Sequence, residues 1–322
     1  MSPDVDPASE PEGGWEYHQL QRAGSSGWWR PLLGSVLLVV SALLLVQAVL
    51  LAAFVAGFLV AGQDVRDSVD RLVDTDHVTP LGLAYLNLSL AALIPICWLI
   101  VQALHRLPAG SLSSVVGRLR WRWFATCLAL ALVALIATLV VATLVPEQAE
   151  GVEMSGSLND FTRTTRDFLL VIVLLTPLQA AGEEYAFRGY LTQAFGGLFR
   201  SRWVAVAVPA FLFALAHGAQ DAPIFVDRFA FGLVAGILAI STGGLEAGIA
   251  MHVLNNFLAY GLALAFSDMS TALNPTGGTW WSLPTTLTQS LVYLLLATAV
   301  ARKQGIATST NGGILAAPRR RV

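Results

Sequence analysis

The chain has 322 residues, of which 55% are hydrophobic and only 12% are charged. Its mean hydropathy of +0.65 is typical of a protein that crosses a membrane several times, and it excludes an ordinary soluble globule. The net charge is −2, and the basic residues form no face for nucleic acid. Cys97 and Cys127 both fall in apolar runs, which predicts small core side chains rather than a disulfide.

Residues 1–29 precede the first apolar run and carry five acidic side chains. A cleavable signal peptide has a basic start and a short apolar core, and this segment has neither. We therefore expect residues 1–29 to be a disordered cytoplasmic tail that ends in the interfacial pair Trp28-Trp29.

Apolar runs long enough to be membrane spans follow one another from residue 30 to residue 301. About 20 helical residues cross ~30 Å of hydrocarbon. The sequence therefore predicts an all-α polytopic membrane domain of about eight helices with an intramembrane catalytic cavity, although the fifth and sixth runs are short. The runs are 32–61, 81–104, 123–145, 168–199, 203–217, 224–240, 246–266 and 284–301.

Basic residues are distributed unequally between the two sets of connections. Thirteen lie in the tails and the even-numbered loops, and five lie in the opposite loops. The positive-inside rule then puts both termini in the cytoplasm, which requires an even number of spans. We expect a multi-pass protein of the cell membrane whose residues 302–322 form a basic cytoplasmic tail ending Arg319-Arg320-Arg321.

Ionisable residues interrupt three of these apolar helices. An ionisable group at membrane depth costs at least ~2.5–3.5 kcal/mol, so it points to function by default. Taken singly, each group also has a structural explanation, as a boundary charge cluster, a core histidine or a polar contact between helices. The ionisable residues are Glu183, Glu184 and Arg188 in the first helix, His217 in the second and His252 in the third, where the polar Asn256 lies one turn after His252.

The spacing within the first group predicts a division of roles. Glu184 and Arg188 are four residues apart and share a helix face, so we expect them to form a structural ion pair. Glu183 is rotated by about 100° from Glu184, which leaves it for chemistry. Helix rise gives depths of ~25 Å for Glu183, ~21 Å for His217 and ~9 Å for His252, so one site requires a tilted or kinked helix.

Three motifs in this region resemble those of the CPBP intramembrane proteases (CAAX protease and bacteriocin-processing family), whose eukaryotic and archaeal relatives process prenylated CAAX proteins. The motifs are Glu183-Glu184-x-x-x-Arg188, Phe213-x-x-x-His217 and His252-x-x-x-Asn256, in the family's order. The resemblance covers about residues 166–266. It implies a conical cavity that opens toward the cytoplasm, in which a peptide bond of a membrane-embedded or membrane-tethered substrate is hydrolysed.

The resemblance also implies roles for individual residues. Glu183 would activate the attacking water with help from His217, His252 and Asn256 would stabilise the oxyanion, and Glu184 and Arg188 would hold the first motif. Glu183, His217 and His252 also match a catalytic zinc set. A site with zinc or another divalent metal and a metal-free glutamate protease therefore both stay open.

Two functions from other classes stay open beside the endopeptidase. A proton-coupled transporter also needs buried Glu, Arg and His, but the sequence shows no inverted repeat. A non-catalytic membrane scaffold or immunity protein is a role also associated with bacterial members of the family. The lipid bilayer is the one other partner that the sequence predicts, and the sequence does not say whether a substrate is prenylated.

Overall fold

The structure is a computed structural model, and it describes residues 11–12, 14–144, 157–218, 221–275 and 278–310. These residues are almost entirely helical, which confirms the all-α prediction. The helices are α1 Trp29–Val60, α2 Val65–Val73, α3 Pro80–His105, α4 Trp121–Ala142, α5 Arg163–Phe199, α6 Arg202–Ala216, α7 Ala222–Thr242, α8 Glu246–Phe266, α9 Met269–Leu273 and α10 Ser282–Lys303.

Seven of these helices are long and apolar enough to span a membrane, which makes the chain a multi-pass membrane protein. The remaining predicted span, the fifth at 203–217, corresponds to α6, which has only 15 residues. A helix of that length rises ~22 Å, less than the ~30 Å of hydrocarbon. The sixth span was expected to be short as well, and this is wrong, because α7 has 21 residues.

The two ends of the described chain pair with each other. A short strand, β1 (Trp15–Glu16), lies antiparallel to β2 (Ser309–Thr310). Both ends therefore lie on one face of the helix bundle, which we call the terminal face, and the opposite side is the distal face. This agrees with the even number of crossings expected from the sequence, since α6 and α7 form a hairpin that leaves the terminal face and returns to it.

The segment before α1 is folded, in contrast to the disordered tail expected for residues 1–29. After β1, residues Tyr17–Ala23 form a 3-10 helix whose Tyr17 and Leu20 side chains are fully buried. Gly196 permits this contact, because a Cβ atom there would lie 2.1 Å from the backbone oxygen of His18. The free energy gained by burying Tyr17 and Leu20 against α5 therefore folds this segment in spite of its polar composition. Residues 1–10 lie outside the described part of the chain.

The basic tail expected at 302–322 divides in the same way. Its first part continues α10 to Lys303 and then forms β2. The Arg319-Arg320-Arg321 sequence lies outside the described residues.

Small residues set the closest helix contacts in the membrane domain. Gly232 and Gly236 of α7 face Ala210 and Val206 of α6, and a Cβ atom at either glycine would lie 2.9 Å from that neighbour. At Gly182 of α5, a Cβ atom would lie 2.0 Å from the backbone oxygen of Leu90 in α3. Close approach of backbones is a general route to helix association in membranes, because lipid is as apolar as the helix surface and the hydrophobic effect therefore contributes little.

Gly182→Ala is expected to destabilise the protein by at least about 1–3 kcal/mol, because the added methyl group meets backbone atoms of α3 that have no room to move. Thermal unfolding in detergent measures the effect. Gly57→Ala in α1 is the matched control, since nothing lies within 4 Å of a Cβ atom at Gly57. Equal unfolding temperatures for the two variants would contradict this account of the α3–α5 contact.

Candidate active site

The structure brings the four residues predicted to be catalytic around one cavity. Glu183 of α5, His217 at the end of α6, and His252 and Asn256 of α8 all line a space of about 470 Å³. Phe187, Phe213, Phe231 and Tyr260 line it too, so a small polar centre lies within an aromatic wall.

The backbone of α5 changes at the motif that carries the two glutamates. The regular α-helix ends at Glu184, and residues Tyr185–Leu191 form a π-helical segment before the α-helix resumes. Such segments are rare and frequently mark functional sites. Arg188 lies within the π segment, and its side chain still contacts Glu184 one turn before it.

His252 lies between the two glutamates. Its Nδ1 is 3.0 Å from Oε1 of Glu184, and its Nε2 is 3.3 Å from Oε2 of Glu183. All three side chains are buried. The two carboxylates therefore fix both the position and the plane of the imidazole ring.

Glu184 and Arg188 form the ion pair that their spacing predicts. Nη1 of Arg188 donates to Oε1 of Glu184 at 2.9 Å, and neither side chain is more than 1% exposed. The Arg188 guanidinium also lies over the ring of Phe213, 4.2 Å from its centroid, which adds a cation–π contact. Gly248 makes room for the carboxylate, because a Cβ atom there would lie 2.6 Å from Oε2 of Glu184.

Gln179 connects Glu183 to Asn256, and the sequence analysis missed it. Its Nε2 donates to Oε2 of Glu183 at 2.7 Å, and its Oε1 accepts from Nδ2 of Asn256 at 2.9 Å. The signal was present, since Gln179 is four residues before Glu183 in an apolar helix and so shares its face. Asn256, expected to contact the oxyanion directly, here supports the carboxylate through Gln179.

His217 is the residue that ends α6. Its Nδ1 is 2.8 Å from the backbone oxygen of Phe213. A carbonyl oxygen only accepts hydrogen bonds, so Nδ1 carries a hydrogen and Nε2 is the nitrogen able to take a proton. The short α6 places this histidine inside the cavity because the helix stops there.

The three residues considered as metal ligands do not form a ligand set in this arrangement. Among the described residues, no three or more His, Cys, Asp or Glu side chains are grouped in a way that could hold a metal ion. Both ring nitrogens of His252 already face carboxylates. As placed here, Glu183, His217 and His252 are not grouped as a zinc ligand set.

Comparison with known proteins shows that the segment carrying this site is similar to a known family. Residues 165–258 match the model of a family described as type II CAAX prenyl endopeptidase, Rce1-like. The match contains all three motifs, which confirms the resemblance seen in the sequence.

A curated relative matches over a longer stretch. The uncharacterized protein YyaK of Bacillus subtilis (strain 168) is 24% identical over 204 residues, which cover 61% of this chain and 66% of the relative. The chain thus spans slightly less than two thirds of that relative's length. No solved structure matches this chain significantly.

We expect Glu184→Ala and Arg188→Ala to destabilise the protein by about 3–5 kcal/mol each, because each leaves a buried charge without its partner. Glu183→Ala should lower the free energy of unfolding by less, since Glu183 lines the cavity and its removal leaves behind only polar neighbours. Unfolding in detergent, followed by intrinsic fluorescence, ranks the three variants. Equal stabilities would mean that Glu184 and Arg188 are not the structural pair.

Proposed function

We propose that this protein is an intramembrane endopeptidase that hydrolyses peptide bonds of membrane-embedded or membrane-tethered substrates. The observation that carries the proposal is the meeting of Glu183, His217 and His252 in one buried cavity, within the segment that matches a family of CAAX prenyl endopeptidases. Hydrolysis of an amide requires a base for water and groups that stabilise developing charge, and this cavity holds candidates for both.

Glu183 is the proposed general base. Its carboxylate takes a proton from a water molecule as the water oxygen bonds to the carbonyl carbon of the substrate. His217, through Nε2, assists by orienting the water. Gln179 is a positioning residue that directs the carboxylate through its 2.7 Å hydrogen bond.

The tetrahedral intermediate carries its negative charge on the former carbonyl oxygen. His252 is the proposed donor to that oxygen through Nε2, which turns from Glu183 to the oxyanion once Glu183 has taken the proton of the water. Asn256 is the second donor, through the amide hydrogen that is not bonded to Gln179. When the C–N bond breaks, the proton held by Glu183 passes to the leaving nitrogen, so the carboxylate is restored. The Glu184–Arg188 pair contributes by fixing the ring of His252.

Glu183→Gln and His217→Ala are expected to lower cleavage by about 10²–10⁴-fold, the usual range for loss of a general acid–base group. Comparative membrane proteomics of cells carrying Glu183→Gln against wild type identifies an uncut protein that accumulates. The purified enzyme is then assayed on that protein. Glu16→Gln on the terminal face is the matched control and should keep full activity.

Thermal unfolding of the same variants separates catalysis from folding, because Glu183→Gln keeps the shape of the side chain. Full cleavage by a well-folded Glu183→Gln protein would reject Glu183 as the general base, and absence of cleavage by the wild-type enzyme would reject the protease assignment. An immunity phenotype that survives both Glu183→Gln and His217→Ala would instead support the non-catalytic scaffold.

The proposed reaction is metal-free, with Glu183 activating the water and His217 orienting it. Treatment with a strong chelator, followed by removal of the chelator and any released metal, should leave the cleavage rate unchanged. Metal analysis of the active, treated sample checks that stripping is complete. A rate that falls and recovers when zinc is added back would show that a divalent ion takes part.

A further inference from the structure

The cavity that holds Glu183 extends to the distal face of the bundle. Thr75, before α3, and Asn274, after α9, line the same cavity and are exposed to solvent. These two loops are joined at the surface, since Nδ2 of Asn274 donates to the backbone oxygen of Thr75 at 2.7 Å. Thr75 and Asn274 therefore form part of a rim around a mouth, which we call the distal mouth.

The terminal side of the same site is closed by protein. Arg120 and Glu246 form a salt bridge of 2.7 Å at the start of α8, and the Glu246 side chain is fully buried. Next to it, the backbone of the 109–119 loop bonds to the α7–α8 turn, with Leu245 N–H donating to Ser113 O at 2.9 Å. No residue of these terminal-face connections lines the cavity among the residues that the structure describes.

Two expectations from the sequence are therefore incompatible. The distribution of arginine puts both termini in the cytoplasm, whereas the family resemblance implies a cavity that opens toward the cytoplasm. In the structure, the termini pair on one face and the cavity opens on the other. Only one of the two expectations can hold.

The charges of the described residues favour the expectation that both termini lie in the cytoplasm. The terminal face carries arginine at 22, 106, 118, 120, 122, 200, 202 and 302, whereas the connections on the distal face carry many aspartates. Residues 64–76 alone contain five of them, Asp64, Asp67, Asp70, Asp74 and Asp76, against Arg66 and Arg71. Arginine-rich connections stay on the cytoplasmic side, and acidic ones contribute little to orientation.

We propose that the distal mouth faces away from the cytoplasm and that substrates reach Glu183 through it. This rests on the proposed endopeptidase function for the identity of the ligand. The substrate class that follows is a peptide segment on the non-cytoplasmic side of the membrane, in a membrane-anchored or exported protein. A prenylated protein anchored at the cytoplasmic surface lies on the wrong side for this mouth.

The side of the membrane from which the cavity is reached can be tested with single cysteines and a membrane-impermeant thiol reagent applied to intact cells. Asn274→Cys reports the distal mouth, Ala216→Cys reports the exposed part of the cavity lining beside His217, and Gln304→Cys reports the terminal face, where Gln304 is exposed. The unsubstituted protein is the background, because Cys97 and Cys127 are both buried. We expect Asn274→Cys and Ala216→Cys to react in intact cells and Gln304→Cys to react only after permeabilisation.

Two results would overturn the proposal. Reaction of Gln304→Cys in intact cells, with Asn274→Cys protected, would show that the mouth is cytoplasmic. Reaction of Ala216→Cys under the conditions that expose Gln304→Cys, rather than with Asn274→Cys, would show that the cavity opens to the terminal face. Labelling needs no turnover, so it decides the route independently of Glu183→Gln, whose cleavage assay decides the function.

Discussion

The structure depends on one buried electrostatic arrangement, in which Glu184 is held between Arg188 and His252. A carboxylate in an apolar interior is tolerated only when it is paired and hydrogen-bonded. Glu184 is fully buried and meets both partners at 3.0 Å or less. Neighbouring residues make this pairing possible. Gly248 leaves space for the carboxylate, and the aromatic ring of Phe213 covers the guanidinium. Two helices, α5 and α8, are thereby fixed relative to each other at the level of the cavity.

The two adjacent glutamates differ because of this arrangement. Glu184 is engaged by Arg188 and His252, whereas Glu183 faces the cavity and contacts Gln179 and the second ring nitrogen of His252. One imidazole thus joins a structural carboxylate to the proposed catalytic one. A histidine held from one side by Glu184 keeps its Nε2 at a fixed place in the cavity, which is the kind of support that a preorganised site requires.

The sequence predicted the parts of the site that follow from local geometry. Four-residue spacing gave the Glu184–Arg188 pair, and polar residues in apolar helices gave all four residues that meet at the cavity. It missed what depends on distant contacts, namely the β1–β2 pairing of residues almost 300 positions apart and the burial of Tyr17. Depths counted from helix rise gave different levels for Glu183, His217 and His252. The count failed because α5 has 37 residues, more than a bilayer requires, and contains a π segment.

The face on which the cavity opens also depends on contacts between residues that are distant in the chain. An intramembrane hydrolase needs a path for water and peptide on one side and a seal on the other, since lipid and stray water both interfere with chemistry. Here the seal comes from pairings between segments far apart in the chain, Arg120 with Glu246 and Ser113 with Leu245. The short α6 stops before a full crossing, so His217 at its end lines the cavity. With the terminal side closed, the distal mouth is a route that the described residues provide to Glu183.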